Sequence, residues 1–209
     1  MRTLAVVSGG LRQPSSTRLL ADRLADAVVR AVREHGEQVT VEVIELRELA
    51  HDVTNTLLTG FASPALRVAL DTVTSADGVV AVTPTFSGAY SGMFKNFFDV
   101  VDEDALNGVP VLLAATAGTA RHSLTLEHTV RPLFAYLGAV TVPTAVFAAT
   151  EDFGRSGGST TQDGTPLAAR VERAAGELAS LMVGRPSRSR KASSGRLETV
   201  DFTDLLAGG

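Results

Sequence analysis

Cysteine is absent from the 209 residues of this chain, which excludes disulfides, thiolate metal sites, thiol nucleophiles and covalent cysteinyl links to a cofactor. Lysine is nearly absent too, with one at position 95 and the next at 191. A formal net charge of -4 gives no broad positive field for nucleic acid or an anionic membrane surface. No apolar run approaches membrane-spanning length, and the first strand pattern begins almost at Met1, where a leader would need a charged and then an apolar stretch. The four histidines are scattered and suggest no metal site. These absences lead us to expect a cytoplasmic protein that engages neither nucleic acid nor membrane.

What is present is apolar material, 44% of the residues, enough for one well-buried domain. It is arranged as an alternation. "TLAVVS" (3 to 8), "GVVAVTP" (78 to 84) and "VPVLLAAT" (109 to 116) are short continuous apolar runs, the pattern of parallel strands buried on both faces. "VTVEVIEL" (39 to 46) alternates, as a strand nearer an edge does, and "AVTVPTAVFA" (139 to 148) is the fifth strand. Helical spacing runs from Ser16 to His35, where Leu20, Leu24, Ala27 and Ala31 share a stripe, and over 62 to 76, with Pro64 in the first turn. A third helix carries Phe94, Phe97, Phe98 and Val101 on one stripe, a fourth covers 122 to 138 despite Pro132, and a last one covers 166 to 183. Five strands alternating with helices predict a doubly wound α/β fold with a five-stranded parallel sheet in the flavodoxin-like order 2-1-3-4-5.

The expected domain is 1 to 183. Residues 155 to 166, "RSGGSTTQDGTP", read as a mobile loop, and 184 to 196, "GRPSRSRKASSGR", as a basic flexible linker. Beyond it, 197 to 209 regain apolar side chains at Leu197, Val200, Phe202, Leu205 and Leu206, which predicts a segment docking on the domain or on a partner subunit.

Sheets of this kind bind ligands beyond the carboxyl ends of the strands, where the strand order reverses. Here that means the loops after strands 1, 3 and 4. The first, "SGGLRQPSSTR", has neither the spacing of a pyrophosphate loop nor the ending of a triphosphate loop. It brings Ser8, Leu11, Arg12, Ser15, Ser16 and Thr17 to a helix N-terminus behind a Gly9-Gly10 stretch read as flexible, a setting for one terminal phosphate that Arg12 and Arg18 would help neutralise. Helix capping alone also explains these hydroxyls. The second loop, Pro84, Thr85, Phe86, Ser87 and Gly88, combines bare backbone with flat rings, including Tyr90, and suits the edge of a planar heterocycle. A wide turn whose aromatics cover the core is the other reading. The third loop is Thr116, Ala117, Gly118 and Thr119, with Arg121 just beyond it, either a partner for a nucleotide phosphate or a solvated side chain. Lys95 and Asp99, spaced i,i+4, read as an exposed pair.

"TPTFSGAYSGMFKNFFD" (83 to 99) resembles the TPxYxGxxxGxxKNxxD stretch of the NAD(P)H-dependent FMN reductases, and "SGGLRQPSSTRLLADRL" resembles their phosphate loop and first helix. "ATAGTARHSLTLEHTVRPLFAYLGA" with "VPTAVFAATEDFG" is similar, more narrowly, to an actinobacterial branch of that family. Phe86 stands where tyrosine is common in the wider family, which keeps a ring and loses a hydroxyl. The resemblance implies FMN and NAD(P)H as cofactor and hydride donor. The phosphate would lie in the Ser8 to Thr17 loop, the ring against Pro84 to Gly88, and Thr116 to Thr119 would close over its other side. It implies no obligatory catalytic acid or base, a homo-oligomer (dimer or tetramer), and a flavin-dependent monooxygenase as one recipient of reduced flavin. Related chemistry leaves a quinone, azo or metal-oxyanion reductase with bound FMN as the alternative enzyme, and an electron carrier or a flavin-binding module as the alternatives without that turnover.

Overall fold

The three continuous apolar runs become the three central strands, β1 (Arg2–Ser8), β3 (Gly78–Phe86) and β5 (Pro110–Ala117). The computed structural model describes residues 1–154 and 165–188. β1 pairs in parallel with β3, and β3 with β5, while β2 (Val39–Glu45) lies outside β1 at the edge that its alternating sequence predicts. Seven strands occur among the described residues where five were expected, and the additions have simple causes. The fifth strand is interrupted into β6 (Val140–Thr141) and β7 (Val146–Ala149), both parallel partners of β5. Pro143 has no N–H to give, and the Thr144 N–H turns to Glu177 Oε2 at 2.8 Å, so the chain leaves the ladder there. β4 (Ala89–Tyr90) is a short antiparallel return on β3. Ignoring that return and the interruption, the order is 2-1-3-4-5, as expected.

Side chains alternate between two buried layers. Leu4, Val6, Val80, Val82, Leu112 and Ala114 face α1 (Ser16–Glu34) and the last helix, Leu167–Val183. Their neighbours Ala5, Val7, Val79, Ala81, Val111 and Leu113 face the helices of the opposite layer. That layer includes a helix the sequence pattern did not suggest, α2 (Ala50–Thr59). It is followed by α3 (Pro64–Ser75), α4 (Gly92–Asp99) and α5 (Arg131–Tyr136), with Leu167–Val183 as α6. The helix expected over 122 to 138 is composite: a 3-10 turn at Ala120–His122, a π turn at Leu126–Val130, then α5. Pro132 cannot donate to the carbonyl four residues back and its ring would crowd it, so the wider turn just ahead accommodates it.

The base of the sheet, away from the carboxyl ends, is tied by charge. Arg2 Nε donates to Glu37 Oε2 at 2.7 Å and Nη2 to Oε1 at 2.9 Å. Asp77 Oδ2 accepts the Thr3 N–H at 2.8 Å, and its Oδ1 accepts the Arg188 N–H at 2.9 Å, so residues 184–188 lie against this edge. Of the loop expected over 155 to 166 and the linker expected over 184 to 196, residues 155–164 and 189–196 lie outside the described residues, as does all of the segment 197 to 209. Its hydrogen bonds from Arg2, with the guanidinium's charge, hold the Glu37 carboxyl below its ordinary value of 4.5. A carboxylate depressed in the folded state adds stability above its unfolded pKa that is lost as pH falls through the folded value. Glu37→Gln is therefore expected to lower stability at neutral pH, with the difference closing in acid; urea unfolding at several pH values checks it.

Candidate functional site

The carboxyl ends of β1, β3 and β5 bring the three candidate loops together. Gly9 N donates to Val82 O at 2.8 Å, so the first loop leaves β1 along β3. The Gly9-Gly10 pair is not the flexible stretch expected. A Cβ on Gly9 would lie 3.2 Å from Val82 O and 3.3 Å from both the Phe94 ring and Pro84 Cδ, and one on Gly10 would collide with Ser15 Oγ. Both glycines serve close packing, and neither has a positive φ. Ser15 caps α1, its Oγ accepting the Arg18 N–H at 3.1 Å, so the capping reading holds for this residue. The first turn of α1 carries no acidic side chain, which leaves its N-terminus open to an anion. Arg18 does not face that position; it pairs with Asp22 at 2.8 Å and with Glu45. Arg12 and Ser16 are exposed, as is Leu11, and Arg12 has no ion-pair partner among the described residues.

The second loop is a tight hairpin where a wide turn was the competing expectation. Thr85 pairs with Tyr90 and Phe86 with Ala89 across a two-residue turn. Ser87 and Gly88 have φ of 50° and 83°, the positive values that a two-residue hairpin of type I′ needs at both central positions. Gly88 thus serves the turn itself. Thr83 secures its base, accepting the Ser91 N–H at 3.1 Å, and Ser91 caps α4 by accepting the Phe94 N–H at 3.1 Å. Pro84 is buried beside Thr116 in the ladder, and Phe86 projects from the end of β3 with 44% of its surface exposed. Tyr90 instead turns inward, 6.2 Å from the Phe94 ring. Lys95 pairs with Asp99 as expected.

The third loop is joined to the first. Thr17 and Thr116, 99 residues apart, share a buried hydrogen bond of 2.8 Å between their hydroxyls. This link between two positions so far apart is one that sequence could not reveal. Ala117 is half-buried, Gly118 is exposed with open space where a Cβ would stand, and Arg121 is exposed with no hydrogen-bond partner among the described residues. Thr17→Val would strand the Thr116 hydroxyl, at a cost of about 1–3 kcal/mol, whereas Thr17→Val with Thr116→Val should cost less than the sum of the two single changes. A double-mutant cycle by urea unfolding measures this.

Two side-chain hydroxyls at this end of the sheet, Ser8 Oγ and Thr85 Oγ1, are buried and have no hydrogen-bond partner among the described residues. Buried polar atoms are nearly always paired, so each of these hydroxyls keeps hydrogen-bonding capacity for a ligand or a water. No cluster of His, Asp and Glu able to hold a metal ion occurs among the described residues. Nor is any described helix long and apolar enough to cross a membrane.

The chain is 38% identical over 184 residues to an FMN reductase (NADPH) from Pseudomonas aeruginosa, covering 87% of this chain and 93% of that protein. It is 37% identical over 190 residues to the NADH-dependent FMN reductase SfnE of Pseudomonas putida, covering 91% and 97%. Among solved structures, an oxidoreductase from Corynebacterium diphtheriae superposes with a TM-score of 0.83 at 49% identity, covering 89% of this chain and 99% of that one. A flavodoxin, WrbA-like protein from Agrobacterium tumefaciens, at 20% identity and a TM-score of 0.52 over 88% and 97%, shares the fold alone. The model of the family of NADPH-dependent FMN reductases matches residues 1–154, the part that contains all three loops, and the chain belongs to that family.

Proposed function

We propose that this protein reduces FMN with NAD(P)H, holding the flavin phosphate in the Ser8–Thr17 loop and the ring between Pro84–Gly88 and Thr116–Gly118. The observation that carries the placement is the pair of unpartnered buried hydroxyls, Ser8 Oγ and Thr85 Oγ1, one in each of the first two loops. The residues fit the group. The N-terminus of α1, free of acidic side chains in its first turn, offers amides and a positive dipole end to a phosphate, with Ser15, Ser16 and the exposed Arg12 beside it. Pro84 and the hairpin give a firm wall for a planar ring. A flavin held there would supply the redox chemistry, taking up a hydride from the nicotinamide. The protein's part is to bind, to orient and to exclude water, and no side chain is assigned as a catalytic acid or base.

Arg121, exposed beside the third loop and without a partner among the described residues, is assigned to a phosphate of the pyridine nucleotide. Arg121→Ala is expected to lower kcat/KM for NADPH about tenfold, the loss of one charge-assisted hydrogen bond, and to leave NADH kinetics nearly unchanged. Equal losses with both nucleotides would remove the 2′-phosphate assignment. The reading extends to a cytoplasmic homo-oligomer, dimer or tetramer, that passes reduced flavin to a flavin-dependent monooxygenase. The test is aerobic oxidation of NADPH and NADH by the purified protein, with and without added FMN and with a quinone as competing acceptor. Turnover that saturates with FMN is expected. Preference for the quinone would favour the alternative reductase, and flavin binding without turnover would favour a carrier.

A further inference from the structure

A buried ion pair stands beside the site without belonging to any of its three loops. Arg170, near the start of α6, and Asp152, just after β7, are 7% and 5% exposed and lie 3.2 Å apart, Nη2 to Oδ1. Burial of such a pair contributes little net stability, because lost hydration offsets the attraction, so its use is sought in the geometry it fixes.

That geometry is specific. Arg170 Nη1 donates to Phe147 O within β7, its Nε donates to Thr165 O at 3.2 Å, and the remaining nitrogen meets Asp152. Asp152 Oδ2 accepts the Ala149 N–H at 2.8 Å and closes the turn at Thr150–Phe153 that ends the strand. On its other side this turn meets α1, where the Arg23 guanidinium lies over the Phe153 ring, 5.3 Å from its centre. β7 in turn lies against β5 in register, Thr116 beside Ala148 and Ala117 beside Ala149. The pair therefore fixes the end of the strand on which the third loop rests, and Thr116 passes that constraint to Thr17 through their shared hydrogen bond.

We infer that Arg170 and Asp152 are positioning residues for the flavin site, setting the end of β7 and through it the Thr116–Gly118 side of the ring pocket. This rests on the function proposed above. Neither residue touches the ligand; they act through β5. The fork of Arg170 is what the position requires, since one planar group serves three oxygens in different directions.

The test compares wild type with Arg170→Lys and Asp152→Asn. Lysine keeps the charge near Asp152 and cannot span the three acceptors; asparagine keeps an acceptor for the Ala149 N–H and removes the ion pair. KM for FMN, KM for NADPH, kcat and the melting temperature are measured together. Arg170→Lys is expected to raise KM for FMN at least fivefold, with kcat and KM for NADPH within about twofold of wild type; Asp152→Asn moves KM for FMN in the same direction by less. A variant too unstable to assay leaves the other as the test. Variants with a lowered melting temperature and KM for FMN within twofold of wild type would show that the pair serves stability alone and overturn the inference. Wild-type turnover separates the two ideas: its absence contradicts the proposed function, and the ratio of variant to wild type, read as FMN affinity by fluorescence quenching in that case, still decides the role of the pair.

Discussion

Gly10→Ala raises KM for FMN by an order of magnitude or more, with the fold retained. The added methyl would collide with Ser15 Oγ, and it would also lie 3.2 Å from Thr17 Cβ and 3.3 Å from Ser15 Cβ, so rotating the hydroxyl away does not clear the space. The Ser15 hydroxyl loses its bond to the Arg18 N–H, which removes the cap of α1 and costs about 1 kcal/mol of stability. The larger effect is on binding. The displaced segment is the one assigned to the phosphate, where several amides and hydroxyls must converge on one group. A shift of a few tenths of an ångström weakens all of them together, and each charge-assisted hydrogen bond is worth about 1.5–3 kcal/mol. Steady-state kinetics with FMN varied at saturating NADPH measures this. A KM within twofold of wild type would show that the first loop does not hold the phosphate.

Phe98→Ala gives the largest expected loss of stability, about 3–5 kcal/mol. Phe98 is 1% exposed, and its ring centre is 4.8 Å from those of both Phe94 and Phe134, so it joins α4 to α5. Truncation opens a cavity among aromatic rings that cannot collapse without moving both helices. A Cβ on Gly9 would lie 3.3 Å from the Phe94 ring, so this cluster packs close to the start of the first loop. The denaturant midpoint should fall with little change in the slope of the transition, which marks a loss of stability as distinct from a change in the unfolded state. A loss below about 1 kcal/mol would mean that the cluster repacks freely.

The central sheet was legible because strands buried on both faces must be apolar throughout, and β1, β3 and β5 are. The aromatic stripe of α4 was legible for the same reason. α2 was not, because His51, Asp52, Thr54, Asn55, Thr56 and Thr59 are weak helix formers and only Val53 and Thr56 are buried. Its threonines bond back to carbonyls four residues earlier, as Thr54 does to Ala50 O at 2.9 Å, and packing sustains the helix where propensity does not. At the site, loop positions followed from topology, and Ser15 was readable as a cap. The hairpin was missed, the turn reading offered being a wide one; Ser87-Gly88, at φ 50° and 83°, is the pair that makes the connection two residues long. The reason for Gly9 and Gly10, and the bond between Thr17 and Thr116, depend on neighbours distant in sequence, which no local pattern encodes.

A crystal structure of the protein with FMN bound tests the central claim most directly. The account predicts the phosphate at the N-terminus of α1 with the Ser8 hydroxyl engaged, and the ring beside Pro84 with Thr85 Oγ1 at its edge. A flavin bound elsewhere, with both hydroxyls still unpartnered, would contradict it.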